Sequence, residues 1–217
     1  MDATRTAGTG AAATRAALGA VLGAAVGLLL ACPVAAASGS GDEIAKMRAF
    51  ATDLLIREQY EDAIATFVTI AERTPHDARS HYDVAGAMVF VRMWPEAIPR
   101  IEQAIALDPG NTLYHEMAAM TYLQLQDFPH AFEATRNGAR LGDMKAMYAL
   151  AGMYEHGRGT PASQPQALQW LERAARAGHM SAMEAMARVY RDGLYGQVPD
   201  QARERAWRQE LDRAMAR

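Results

Sequence analysis

The chain of 217 residues is poor in cysteine, in aromatic residues and in net charge. Its single cysteine, Cys32, excludes an internal disulfide framework and any zinc site built from several thiolates. The net charge is −3 at pH 7 with both signs interspersed, so the basic stripe that nucleic-acid binding requires is missing. No segment alternates apolar and polar residues for long. Since alanine and methionine are prominent, the composition predicts an all-α chain.

Long apolar runs are also scarce, and the clearest one lies near the N-terminus. The run ALGAVLGAAVGLLLA (17–31) follows Arg5 and Arg15 and precedes the small residues of 35–38. A basic start, an apolar middle and an A-x-A end are typical of a secretory signal peptide. We therefore expect a signal peptide at 1–37, a short linker at 38–43 and a periplasmic mature protein. A retained membrane anchor is the alternative, although the run is rich in glycine and alanine.

A second cleavage chemistry is possible at Cys32. The sequence LLAC (29–32) resembles the bacterial lipobox, in which the cysteine is lipidated and becomes the mature N-terminus. In that alternative the signal covers 1–31 and the protein is a lipid-anchored envelope lipoprotein. Pro33 directly after the cysteine favours ordinary cleavage after Ala37.

The rest of the chain repeats itself. YEDAIATFVTIAERTPHD (60–77) is followed 34 residues later by WPEAIPRIEQAIALDPGN (94–111), and a third copy follows in the same register. Large residues, small residues and breakers recur in step: Tyr60 with Trp94 and Phe128, Ala63 with Ala97 and Ala131, Ile70 with Ala104 and Gly138, and Pro75 with Pro109. Proline cannot continue a helix, so each copy predicts two helices and a stop.

This pattern resembles the tetratricopeptide repeat, with copies at 44–77, 78–111 and 112–145. The resemblance implies helix-turn-helix units stacked into a right-handed α-solenoid. His81 and His115 take the place of the first helix's usual tryptophan, and we expect both to pack in the core. Asp143 replaces the terminal proline of the third copy. Pro99 lies inside a predicted helix, where we expect a kink or a late helix start.

Residues 146–217 follow a different repeat. KAMYALAGMYEHGRG (145–159) matches SAMEAMARVYRDGLYG (181–196) with a shift of 36 residues. These segments resemble the Sel1-like repeat, with Ala167, Trp170, Ala174, Ala175 and Gly178 at its consensus places. We expect two such repeats and a polar C-terminal capping helix that starts after Asp200. In the second repeat Tyr195 stands where the first has the loop glycine Gly159.

The resemblance also implies a binding groove, because the first helices of stacked repeats line a concave face. The side chains expected there give an apolar groove with a charged fringe that suits a peptide or an amphipathic helix. Tyr82 and Phe90 are the best anchor candidates, whereas Leu55, Val89 and Leu123 could instead pack between repeats. Asp83 would repel a terminal carboxylate, which argues against a carboxylate clamp. The predicted groove residues are Arg48, Leu55, Arg79, Tyr82, Val89, Phe90, Glu116, Met120 and Leu123.

No constellation of residues predicts catalysis, a cofactor or a metal. None of the six histidines stands at metal-ligand spacing from another ligand, and no nucleophile, metalloprotease or nucleotide-binding motif occurs. An acid–base set of Glu155, His156 and Asp192 is conceivable, but Glu155 and Asp192 occupy equivalent loop places. We therefore expect a non-enzymatic adaptor of the cell envelope with a protein or peptide partner. The alternatives are an enzyme acting on peptides or cell wall, and a homodimer closed through the groove.

Overall fold

The computed structural model describes residues 40–216, and every regular element in that range is helical. The chain divides into two compact units, Met1–Ala87 and Met88–Arg217. The predicted signal peptide and Cys32 lie outside the described residues. The helices are α1 Ser40–Ile56, α2 Tyr60–Arg73, α3 Ala78–Phe90, α4 Trp94–Leu107, α5 Thr112–Gln124, α6 Phe128–Arg140, α7 Met144–His156, α8 Gln164–Arg176, α9 Met180–Asp192 and α10 Gln201–Met215, with a 3₁₀ turn at Leu194–Gly196.

Consecutive helices pack in pairs, and small residues mark the contacts. Ala63, Ala97, Ala131 and Ala167 occupy equivalent places in four second helices, and each is at most 1% exposed. A methyl group is small enough to let two helix backbones approach closely. The larger residues Ile70, Ile101 and Leu150 fill the space between and are fully buried. The predicted all-α fold of stacked helix-turn-helix repeats is confirmed.

The turn inside each tetratricopeptide-like unit uses a left-handed residue that is not glycine. Glu58, Arg92 and Gln126 are spaced by 34 residues and have φ of 61°, 63° and 58°. The sequence gives no sign of this conformation, because glycine is the usual residue for positive φ. The Sel1-like units use glycine instead, since Gly157 and Gly193 end α7 and α9 with φ of 67° and 70°.

Polar side chains cap the helices that follow. Asp127, Asp143 and Ser163 each accept a hydrogen bond from a backbone N–H in the first turn of α6, α7 and α8. For Asp143 the bond to the backbone nitrogen of Ala146 is 2.6 Å long. An aspartate cap thus starts α7 where the earlier copies have a proline to end a helix. The predicted cap at Asp200 is confirmed, since its carboxylate accepts from the first turn of α10.

His81 and His115 are core residues that also tie down a loop. They are 2% and 5% exposed. The Nε2 of His81 donates to the carbonyl oxygen of Pro75, and the Nε2 of His115 donates to that of Pro109, both at 3.0 Å. A carbonyl can only accept, so Nε2 carries the proton in both rings. The prediction that these histidines pack in the core is confirmed.

Pro99 does not delay its helix, so the expected late start is wrong. The helix α4 runs without interruption from Trp94 to Leu107 with Pro99 inside it. The missing N–H of Pro99 would have bonded to the carbonyl of Pro95, one turn earlier. Only that one backbone hydrogen bond is lost, and it lies near the start of the helix.

The last helix covers the end of the second unit. Trp207, Leu211 and Ala214 of α10 pack against the core of that unit, whereas Met215 is 62% exposed. The predicted apolar stripe is therefore correct at Trp207 and Leu211 and wrong at Met215. No helix within residues 40–216 has the length and apolar character needed to cross a bilayer.

Candidate binding site

The first unit places two of the predicted groove residues in an ion-pair network. Arg48 Nε donates to Asp83 Oδ2 at 2.5 Å, and its Nη2 lies 3.3 Å from Asp77 Oδ2 and 3.2 Å from Ser80 Oγ. Arg79 Nε donates to Asp83 Oδ1 at 3.4 Å. Both arginines thus engage carboxylates of their own unit. This agrees with the absence of a carboxylate clamp expected from Asp83.

The network keeps Asp77 ionised. Burial raises the pKa of Asp77, but hydrogen bonds from Ser80 and from the backbone N–H of Arg79, together with the charge of Arg48, lower it further. The net pKa lies below the ordinary aspartate value. Since a lowered pKa favours the charged form in the folded state, the contribution of Asp77 to stability is present at neutral pH and is lost as the pH falls through the folded pKa.

The other predicted groove residues of this region differ in exposure. Leu55 and Tyr82 in the first unit and Val89 in the second are half-buried. Phe90 in the second unit is 64% exposed. These values leave each of the four with surface that a partner could contact.

Three predicted residues come together in one cleft of the second unit. Glu116, Met120 and Leu123 stand on α5 and face α7 across a space of about 160 Å³. We call this space the α5–α7 cleft. It is also lined by Thr112, His115, Ala119, Ala134, Thr135, Gly138, Asp143, Lys145, Ala146 and Ala149.

Small side chains create the α5–α7 cleft. A Cβ added to Gly138 of α6 would lie 3.2 Å from the Cβ of Ala146, so α6 and α7 approach closely there. Met120 and Leu123 stand three residues apart on one face of α5 and are 57% and 39% exposed. An engineered apolar cavity of about 150 Å³ holds a benzene molecule. The cleft therefore has room for one apolar side chain of a partner.

A second cleft, which the sequence did not predict, lies between α7 and α9. This α7–α9 cleft has a volume of about 360 Å³, and its lining includes Tyr148, Gly152, Glu155, Arg188 and Tyr195. The hydroxyl of Tyr195 donates to the Glu155 carboxylate. Burial, and then the hydrogen bond and the charge of Glu155, raise the pKa of Tyr195 to about 12. The one signal in the sequence was a tyrosine in place of the loop glycine.

The structure does not bring together the conceivable acid–base set. His156 lies in the α7–α9 cleft with Glu155, but its Nδ1 donates to the carbonyl oxygen of Gly152 at 2.9 Å. The Asp192 carboxylate accepts two bonds of 2.8 Å from Arg191. Within residues 40–216, no three histidine, cysteine or carboxylate side chains are placed to hold a metal ion.

Comparison with known proteins identifies the repeat. Residues 145–179 match the description of the Sel1 repeat. The chain is a tetratricopeptide-like and Sel1-like repeat protein. Repeats of these types are protein-interaction modules, so the chain has the general character of an adaptor. No curated protein matches the chain in sequence.

Solved structures of similar fold include a Sel1 repeat protein from Oxalobacter formigenes, with 25% identity and a TM-score of 0.56. That match covers 70% of this chain, and the chain spans 64% of that protein's length. MamA from Desulfovibrio magneticus RS-1 shares the fold at 13% identity and a TM-score of 0.53, covering 81% of this chain and 94% of MamA. YrrB, described as a tetratricopeptide protein with an unusual peptide-binding site, matches at 16% identity and 0.52, covering 78% and 85%.

Proposed function

We propose that the protein is a non-enzymatic adaptor of the bacterial cell envelope that binds a polypeptide in the α5–α7 cleft. The observation that carries this proposal is the pair of exposed apolar residues, Met120 and Leu123, at the mouth of a cleft with alanine and glycine walls. Adjacent exposed apolar side chains in a concave surface are typical of a protein-binding site.

Burial of apolar surface would drive the association. Each square ångström removed from water contributes roughly 25 cal/mol, although part of that gain offsets the loss of translational freedom. Glu116 and Lys145 line the same cleft with opposite charges. Charges at the edge of an apolar site set the orientation of the partner more than the affinity. Leu55, Tyr82, Val89, Phe90, Arg48 and Arg79 stay predicted contact residues.

We expect the change Met120→Glu to remove most partner binding. A carboxylate at the mouth of the cleft would lose its hydration when an apolar side chain docks, which is unfavourable. Tagged mature protein would be crosslinked in its native envelope and purified, and its partners quantified by mass spectrometry. We expect recovery of the partner to fall about tenfold or more, equivalent to about 1.4 kcal/mol.

The matched control for this experiment is Met180→Glu. Met180 is 52% exposed, close to the 57% of Met120, but it does not line the cleft. Both variants should melt at the wild-type temperature because both side chains are largely exposed. Equal recovery of the partner with Met120→Glu and with wild type would contradict the site. A partner whose mass equals that of this chain would indicate a homodimer instead.

We also propose that the protein is exported and is cleaved after Ala37. The support is the sequence of 1–38, with its basic start, apolar middle and small residues before Ser38. Mass spectrometry of the mature N-terminus tests this proposal. An unmodified N-terminus at Ser38 is the expected result, and an acylated N-terminus at Cys32 would show a lipoprotein.

A further inference from the structure

The helix α7 contains a glycine that its own fold does not require. Gly152 lies in the interior of α7, where glycine is less favourable than alanine. A Cβ built at Gly152 meets no atom within 4 Å, so an alanine would fit. Close packing against a neighbouring helix is therefore not the reason for this glycine. The open space at Gly152 belongs to the α7–α9 cleft.

Tyr195 departs from local preference in the opposite direction, and it lines the same cleft. Its φ is 53°, a left-handed conformation that favours glycine, and the equivalent place in the preceding repeat is Gly159. The tyrosine adopts this conformation and directs its hydroxyl to Glu155. Residues that break local rules without a benefit to the fold tend to mark functional sites. Here two of them meet in one cleft.

The charged residues of the cleft offer one donor and one acceptor. Arg188 occupies the place in α9 that Gly152 occupies in α7, 36 residues earlier. Arg188 lines the cleft and donates no hydrogen bond within residues 40–216. Glu155 is an acceptor that Tyr195 holds in place. A peptide unit presents one carbonyl acceptor and one N–H donor, so it complements this pair.

We propose that the α7–α9 cleft binds an extended segment of a partner polypeptide by its main chain. The backbone of the segment crosses α7 at Gly152, where the missing Cβ permits close approach. Arg188 donates to a backbone carbonyl of the segment, and Glu155 accepts a backbone N–H. A helical segment does not fit this role, because its backbone groups are already paired with each other.

This proposal rests on the proposed function, in that the partner is a polypeptide, and it adds a second site with a stated backbone conformation. The two clefts are continuous, since Ala149 of α7 lines both. One partner chain can therefore anchor an apolar side chain in the α5–α7 cleft and continue as an extended segment across Gly152.

The test is a selection of random peptides displayed on phage against the mature protein. Peptides that bind are synthesised, and their Kd is measured by fluorescence anisotropy for wild type and for Gly152→Ala. We expect Gly152→Ala to raise the melting temperature and to weaken binding about tenfold or more. Methylation of one central backbone nitrogen in the peptide should weaken binding similarly, because it removes the N–H that Glu155 accepts.

The matched control is Gly41→Ala. Gly41 lies in α1, and a Cβ there also meets no atom within 4 Å, but Gly41 does not line the cleft. This variant should bind with the wild-type Kd. Wild-type affinity of Gly152→Ala, a fall in its melting temperature, or peptides that tolerate methylation at every nitrogen would overturn the proposal. Peptides that depend on Met120 and not on Gly152 would overturn it while leaving the proposed function intact. A selection without any binding peptide would overturn both.

Discussion

The change Gly159→Ala should destabilise the second unit by about 3 kcal/mol or more. Gly159 has φ of 73°, and a Cβ there would lie 2.1 Å from the carbonyl oxygen of Phe128 and 2.9 Å from the Cβ of Phe132. The first atom is backbone, so the start of α6 would have to move. Thermal unfolding followed by circular dichroism should show a fall in Tm of about 10 °C.

The control separates the steric clash from the backbone strain. Gly142 has φ of 98°, but a Cβ there meets no atom within 4 Å. Gly142→Ala therefore carries the strain alone, about 1–2 kcal/mol for a left-handed alanine. A Gly159→Ala variant no less stable than Gly142→Ala would show that the loop does not pass as close to Phe128 as described here.

The change Leu150→Ala should be the next most destabilising, by about 3 kcal/mol. Leu150 is fully buried in the core of the second unit, with Ala131 and Trp170 in the same cluster. Removing its branched end loses the transfer free energy of the side chain and leaves a cavity between the rigid helices. Chemical denaturation in urea measures the loss as a shift of the midpoint.

Leu141→Ala is the comparison for this change, because Leu141 is 44% exposed. The same chemical change at a surface site should alter the free energy of unfolding by about 0.5 kcal/mol or less. Equal losses for the two leucines would mean that the core is not centred on Leu150. That result would also question the register of the repeats, since Leu150 was matched to Met186 on sequence alone.

The spacing of small residues was enough to predict the fold. Ala63, Ala97 and Ala131 recur every 34 residues because the same helix contact recurs, and the structure buries all three completely. The left-handed turns at Glu58 and Arg92 were not predictable. Their conformation is imposed by the two packed helices that they join, and no local residue preference announces it.

The candidate sites were predicted less completely. Glu116, Met120 and Leu123 were placed by the repeat register, and they do line one cleft. The sequence did not reveal the depth of that cleft, because depth depends on Gly138 of α6 and Ala146 of α7, which the register does not relate to α5. The α7–α9 cleft was missed since its meaning lies in an absent clash at Gly152, which only coordinates show.

The most direct test of the central claim is photo-crosslinking in living cells at position 120. A photoreactive benzoyl-phenylalanine would replace Met120 in one strain and Met180 in another, because both side chains are about equally exposed. The account predicts a discrete adduct with another polypeptide at position 120 and none at position 180. Adducts of equal yield at both positions, or no adduct at position 120, would contradict a binding site in the α5–α7 cleft.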